Sequence, residues 1–543
     1  MKIKILTILL IILLASCTSK DPIIKDPTEP IVEDPIKVVP ESPEDPVLTI
    51  EFLQDLTLVD ISDDYDLQAT SLRTYRNSLN EGVSYVNIEE FIAFQNGGIE
   101  VLTIVKTDKL ALSYEVEVQE DFVDYLGEYY TYEMIIDGHE NSIYFNDIDM
   151  IESLGVSPET DYSQGLEIVD FTFNEVDFSR TIDFDDYEMD IVVFNNNYFI
   201  PFYLANFLIS GDFLLCETDT ELIMFDQMTD KDILDKEFEN RTHKQVDKLA
   251  TETYNYLALY FDYSYGLLEF KEIDDMHNLL DNYEIESATS FTKLTEQINY
   301  FLNDLDDLHT MFSSAGYNYP YYQSFYNRSH DSKLMRYVDA LNLNACFEST
   351  ENVTFNVIDD VAYFVLNGFS LELPEELAEF MPIAKNYDDV VFDLRCNGGG
   401  LITSAIHLLT YMTDEDIPVS YLDPYTNLEE TVFYRSIESN YMSKNYYIIT
   451  SEATFSAANL LASLVKDNVL AIVIGDDSLG GACALGLTVL PNGSIITNSS
   501  NNSFTNKDGL LIEDGIEPDI YLVDPIDDLT FPESVVSIIN QNK

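Results

Sequence analysis

Between residues 48 and 227 apolar and polar residues alternate in short runs rich in Tyr, Phe, Ile and Asp. That period of two predicts half-buried strands. Two runs are alike. Residues 84–92 (SYVNIEEFI) and 197–208 (NYFIPFYLANFL) each predict a short strand entering a short helix, with further strand-like runs at 100–106 and 221–225. The period then lengthens. Residues 231–261 contain no Pro or Gly and place Leu249, Tyr256, Leu257 and Tyr260 at helical spacing, before Gly266 breaks the run. Helices are expected again at 273–283 and 290–305, followed by a loop rich in Ser, Asn and Tyr at 313–331. From about residue 353 strands and helices alternate. Strands are predicted at 361–366, 390–394, 446–450 and 471–474, with helices at 374–384, 401–412 and 456–465. The helix at 374 begins on Pro374, which suits a first turn because its missing N–H would have no intrahelical partner. Alternation of this kind predicts α/β layers.

The first residues follow a different pattern. Lys2 and Lys4 precede an apolar run at 5–14, too short to span a bilayer, which ends in Leu14-Ala15-Ser16-Cys17. This layout resembles a bacterial lipobox, which implies a signal peptide at 1–17 and a lipidated Cys17. Residues 18–47 hold seven prolines among Asp, Glu and Lys, so they predict an extended stalk without helix or sheet. The expected location is the outer face of a bacterial cell membrane, with the body held through Cys17.

Composition narrows the function classes. The chain has 543 residues and is 46% hydrophobic, enough for several domains with real cores. Its 99 Asp+Glu against 27 Lys+Arg give a net charge of −72, which argues against nucleic acid as a partner. The other cysteines, Cys216, Cys346, Cys396 and Cys483, are widely spaced and contain no CxxC pair. The six histidines form no metal-binding spacing, so no metal and no organic cofactor are expected.

Three segments carry chemistry. Residues 393–400 (DLRCNGGG) end a strand in three glycines, whose unshielded N–H groups suit a developing oxyanion. Residues 450–459 (TSEATFSAAN) bring Ser456 to the start of an apolar helix, where a serine is most often a cap and where a nucleophile also profits from the helix N-terminus. Residues 305–310 (LDDLHT) place His309 after the helical region, as a structural histidine or a general base. A fourth segment, 513–520 (EDGIEPDI), closes the set.

In this order the four segments resemble the tail-specific (C-terminal processing) protease family of serine peptidases, over roughly residues 229–524. The resemblance implies a crotonase-like (ClpP/crotonase) α/β catalytic domain with a helical subdomain, preceded here by strand-rich α+β N-terminal modules. Carried over by position, Ser456 is the nucleophile, and the N–H of Ala457 with that of Gly398 or Gly399 forms the oxyanion hole. One branch of the family uses a lysine base, but Gly481 stands where that lysine would be, and Lys444 and Lys466 lie outside the matching segment. The sequence is more similar to the histidine-using branch that includes tricorn core protease. His309 is then the base, with Ser329-His330 as a rival, and Leu308 replaces a serine that can precede the histidine. Glu513 is the expected acidic partner, with Asp514 and Glu517 as alternatives. Residues 309–354 are too few for a PDZ-like insert. The paired runs at 84–92 and 197–208 faintly resemble the small duplicated modules of copper amine oxidase N-terminal-like domains.

The expected organisation is a signal peptide (1–17), stalk (18–47), strand-rich α+β region (48–228), helical subdomain carrying His309 (229–345), crotonase-like peptidase domain (346–530) and C-terminal tail (531–543). The expected function is a cell-surface serine endopeptidase acting on a peptide or protein substrate. The competing expectations are an inactive pseudo-peptidase and an adhesive lipoprotein that binds peptides or cell-wall material.

Overall fold

The computed structural model describes residues 48–541 except 63, 66, 68, 96–101, 107–108, 118–128, 149, 154–157, 175, 239–248, 315–331, 345, 347–350 and 523–530. The expected leader, Cys17, the stalk, and Ser329 and His330 lie outside the described residues.

The two similar runs of the N-terminal part are neighbours in one sheet. Strand Asn80–Asn87 pairs antiparallel with Asn197–Pro201, with Ile200 opposite Val86, inside a seven-stranded sheet. Each strand passes directly into a helix, Ile88–Gln95 and Phe202–Ile209. The Asn87 carboxamide accepts the Glu90 N–H at 3.0 Å and so starts the first helix, while Pro201 stands at the N-cap of the second. A five-stranded antiparallel sheet packs against this layer. The shared core, including Phe91, Leu112, Tyr132 and Phe145, continues unbroken into helices Leu249–Ser264 and Phe291–Asp304 through Tyr256, Leu257, Phe261 and Phe301. The strand-rich and helical regions therefore share one core. Strand Leu166–Phe173 also leaves the N-terminal part to pair with Leu428–Ser436, so that part closes a sheet of the C-terminal half. Both links depend on long-range pairing that a local hydrophobic pattern does not encode.

The C-terminal half is built on a six-stranded sheet in the order Val353–Ile358, Val361–Leu366, Asp389–Asp393, Asn445–Thr450, Ala471–Gly475, Ile520–Tyr521. The first two strands form a hairpin through Asp359 and Asp360, both in the left-handed region. All later neighbours are parallel. Helices Leu373–Ala384, Ile402–Leu409 and Ala457–Asp467 cover one face. The other face is covered by helix Phe531–Gln541, formed by residues expected to be a tail. Its Phe531, Val535, Val536 and Ile539 recur at helical spacing and bury Val361, Tyr363, Val391, Tyr447 and Ile449. Parallel strands end at a common edge, so the turns after Asp393, Thr450 and Gly475 meet there.

A second sheet stands beside this edge. Strand Ile495–Thr505 pairs with Cys483–Val489, with Ile417–Asp423 and with Met311–Ser314. The last of these strands begins two residues after His309, and its Ser313 and Ser314 fall in the stretch expected to be a loop. Among the described residues no helix is long and apolar enough to cross a membrane.

Glu430, on Leu428–Ser436, is buried and one of its carboxylate oxygens has no partner. Burial raises its pKa from 4.5 to about 8. The folded state thus holds a proton that the unfolded chain releases, and stability falls as pH rises from about 4.5 to about 8. Thermal unfolding of the parent and Glu430→Gln at pH 5 and pH 9 should give the parent the larger loss across that range. The differential is on the order of a few kcal/mol, since each pKa unit is about 1.4 kcal/mol. Equal losses would show that Glu430 is already ionised in the fold.

Candidate active site

The turn after strand Asn445–Thr450 is held to the neighbouring strand end by two side chains. The Ser451 hydroxyl donates to the Arg395 carbonyl at 2.8 Å and the Thr454 hydroxyl to the Leu394 carbonyl at 2.8 Å. The chain then turns sharply at Ser456, with φ 56° and ψ −125°. A non-glycine residue held there costs on the order of 1–3 kcal/mol and persists only when its surroundings fix it. Here the Ser456 N–H donates to the Gly480 carbonyl at 2.8 Å and helix Ala457–Asp467 starts at the next residue. Ser456 occupies the N-cap position, yet its hydroxyl makes no cap bond. That hydroxyl lies 2.9 Å from His309 Nε2 instead.

His309 follows a tight turn at the end of Phe291–Asp304, with Asp306 in the left-handed region. Asp307, buried, accepts the His309 N–H at 3.0 Å and the Thr310 hydroxyl at 2.5 Å. The imidazole lies against the Phe455 ring with centroids 4.7 Å apart, and its Nδ1 is 3.4 Å from Ser499 Oγ. Burial lowers the His309 pKa below the usual 6.5, with Lys333 adding to that direction. Asp307 first and then Glu513 oppose it.

The glycine segment completes the geometry. A Cβ on Gly399, whose φ is +106°, would stand 2.8 Å from Ser456 Cβ and 3.1 Å from the Ala457 nitrogen. Only glycine lets this backbone lie against Ser456. The Gly399 N–H is taken by Asn397 Oδ1 at 2.9 Å. The N–H groups of Ala457 and Gly398 have no hydrogen-bond partner among the described residues. Of the two glycines expected to contribute, Gly398 therefore has the available donor. The Tyr337 hydroxyl, on helix Lys333–Leu343, sits directly over the position a Gly398 side chain would take.

Glu513 is almost fully buried, whereas the alternatives Asp514 and Glu517 are exposed. Its carboxylate does not meet the imidazole. One oxygen pairs with Lys333 Nζ at 2.5 Å, and the other accepts the Ala482 N–H at 2.8 Å. A Cβ on Gly481 would fall 2.5 Å from the Phe455 ring, so no lysine fits there without displacing that ring. Lys466 is occupied elsewhere, with Asp519 at 3.2 Å. Ser499, Lys333 and Tyr337 carried no sequence signal, because each reaches the site through tertiary packing. A disulfide joins Cys346, beyond helix Lys333–Leu343, to Cys396, beside the glycines. Among the described residues no three His, Cys, Asp or Glu side chains are grouped to hold a metal ion.

Residues 360–522, which carry Ser456, the glycine segment and Glu513, match the model of peptidase family S41. A carboxyl-terminal-processing protease from Picosynechococcus sp. is 26% identical over 160 residues, covering 29% of this chain and 37% of its own length. The carboxy-terminal processing protease CtpB of Bacillus subtilis is 25% identical over 167 residues, covering 30% of this chain and 34% of its own. A crystal structure of a putative peptidase from Parabacteroides merdae aligns with a TM-score of 0.42 at 17% identity, over 53% of this chain and 96% of that one. Residues 360–522 are thus similar to the tail-specific proteases, a family of serine-type peptidases. The chain spans about a third of the length of the curated relatives it matches. His309 lies outside the matched segment.

The desolvated imidazole should titrate below 6.5, followed through the His309 ring resonances against pH. An ordinary or raised value would show that the two buried carboxylates outweigh burial.

Proposed function

We propose that this chain is a serine endopeptidase that cleaves peptide or protein substrates through an acyl-enzyme at Ser456. The observation that carries the reading is the 2.9 Å approach of Ser456 Oγ to His309 Nε2 beside two available N–H groups. Ser456 Oγ attacks the scissile carbonyl carbon as its proton passes to His309 Nε2. The carbonyl oxygen, now negative, accepts from the N–H groups of Ala457 and Gly398. His309 then returns the proton to the leaving amine, the C–N bond breaks, and water attacks the ester by the same route in reverse. Asp307 first and then Glu513 favour the imidazolium through space from their buried positions, against the larger influence of burial. The catalytic half takes the crotonase-like arrangement of strand-end turns gathered at one sheet edge, and Cys17 holds the body at the outer membrane face by its lipid.

The second reading, a binding protein without turnover, has Tyr337 in its favour, because its hydroxyl stands 2.3 Å from the position a Gly398 Cβ would take and so crowds the glycine segment. Incubation of the mature body with a broad peptide mixture, read by mass spectrometry, separates the two. Cleavage by the parent, reduced about 10³-fold or more in both Ser456→Ala and His309→Ala, is the expected result. A folded parent that cleaves nothing would favour the binding protein.

A further inference from the structure

A histidine base needs its reacting nitrogen free of hydrogen. For Nε2 to take the Ser456 proton, the ring hydrogen must sit on Nδ1, and a buried Nδ1–H needs an acceptor. Two buried carboxylates lie close by, but both are committed. Asp307 holds the His309 backbone N–H and the Thr310 hydroxyl. Glu513 holds Lys333 Nζ and the Ala482 N–H. The group that faces Nδ1 is the hydroxyl of Ser499, at 3.4 Å, fully buried.

Ser499 is fixed from several sides. Its strand pairs with Met311–Ser314, Met311 lying opposite Thr497. Its carbonyl accepts the Gly266 N–H at 3.0 Å, and its own N–H donates to Thr310 Oγ1 at 3.4 Å. A register shift in the pairing with Cys483–Val489 falls between Cys483 and Leu485, and Leu485 is the residue opposite Ser499. That irregularity brings Cys483 beside the serines. Its sulfur is 3.2 Å from Ser503 Oγ and also meets the Ser499 hydroxyl. Burial pushes the Cys483 thiol up, so it stays neutral.

The geometry points to Ser499 as the positioning residue of the base: its Oγ accepts Nδ1–H of His309 and holds the tautomer that turns a bare Nε2 toward Ser456. The inference rests on the peptidase reading of Ser456 and His309. The ring is thus oriented by a neutral hydroxyl backed by a neutral thiol, while the charged groups around it (Asp307, Glu513 and Lys333) act without touching it. Ser499 makes no contact with substrate atoms in this scheme, so its removal affects proton transfer and leaves binding intact.

The test uses the mature body labelled with ¹⁵N-histidine. In the parent the His309 ring should show a protonated Nδ1 and a bare Nε2, and a protonated Nε2 would overturn the inference without any variant. A fluorophosphonate probe then reports Ser456 reactivity. Labelling of Ser499→Ala should be slowed roughly 10- to 100-fold, with KM for a cleaved peptide unchanged and a mixed tautomer in the spectrum. Ser499→Thr, which keeps the hydroxyl, should recover most of the rate. Equal labelling of the parent and the folded alanine variant, with the tautomer unmoved, would refute the role of Ser499. A parent with the Nδ1–H tautomer that neither labels nor cleaves would instead refute the peptidase reading and leave the positioning contact standing.

Discussion

The site depends on a backbone constraint at Ser456. The chain reverses in a conformation that side chains disfavour, and three neighbours make the reversal rigid: the Gly480 carbonyl, the backbone at Gly399, and the first turn of helix Ala457–Asp467. Each neighbour is delivered by a different strand end of the parallel sheet. Close approach is possible because Gly399 has no side chain to collide with Ser456. The same crowding accounts for Gly481, where any side chain would strike Phe455, the ring on which the imidazole rests.

Electrostatics around the imidazole are a balance of buried charges. Desolvation is the largest influence on His309 and favours the neutral ring. Asp307 and Glu513 pull the other way, and Lys333 partly cancels them. Removing one partner of a buried ion pair typically costs about 3–5 kcal/mol because the other charge is left uncompensated, so Lys333 and Glu513 each depend on the other's presence. Helix Lys333–Leu343 consequently brings three things to the site: an ammonium on Glu513, a hydroxyl over Gly398, and Arg336, which pairs with Glu452 in the turn leading to Ser456.

Much of the C-terminal half could be read from the chain. The strands at 361–366 and 445–450 are short apolar runs bounded by turn residues, and the segments holding Ser456, His309 and the glycines stand out by composition. Hidden features depended on contacts far apart in sequence. Ser499 lies 190 residues from His309 and reaches it by strand pairing. Strand Leu166–Phe173 joins a sheet of the other half, which no local period announces. The segment at 531–541 carries a clear helical stripe, but its place under the sheet follows only once the parallel strands expose a face to be covered. Among Glu513, Asp514 and Glu517 the sequence offered three carboxylates; only the first is buried, and its oxygens meet Lys333 and the Ala482 N–H rather than the imidazole, which local sequence could not foretell.

The bond between Cys346 and Cys396 encloses a hairpin, a helix and the strand that leads to the glycines. A single backbone cut anywhere within that closed loop leaves both ends of the chain covalently joined. The piece bearing His309 would stay tethered to the piece bearing Ser456, and the glycine segment would remain attached to its covering helix. An enclosure of this kind tolerates nicking, because a single cut inside it separates no part of the chain from the rest.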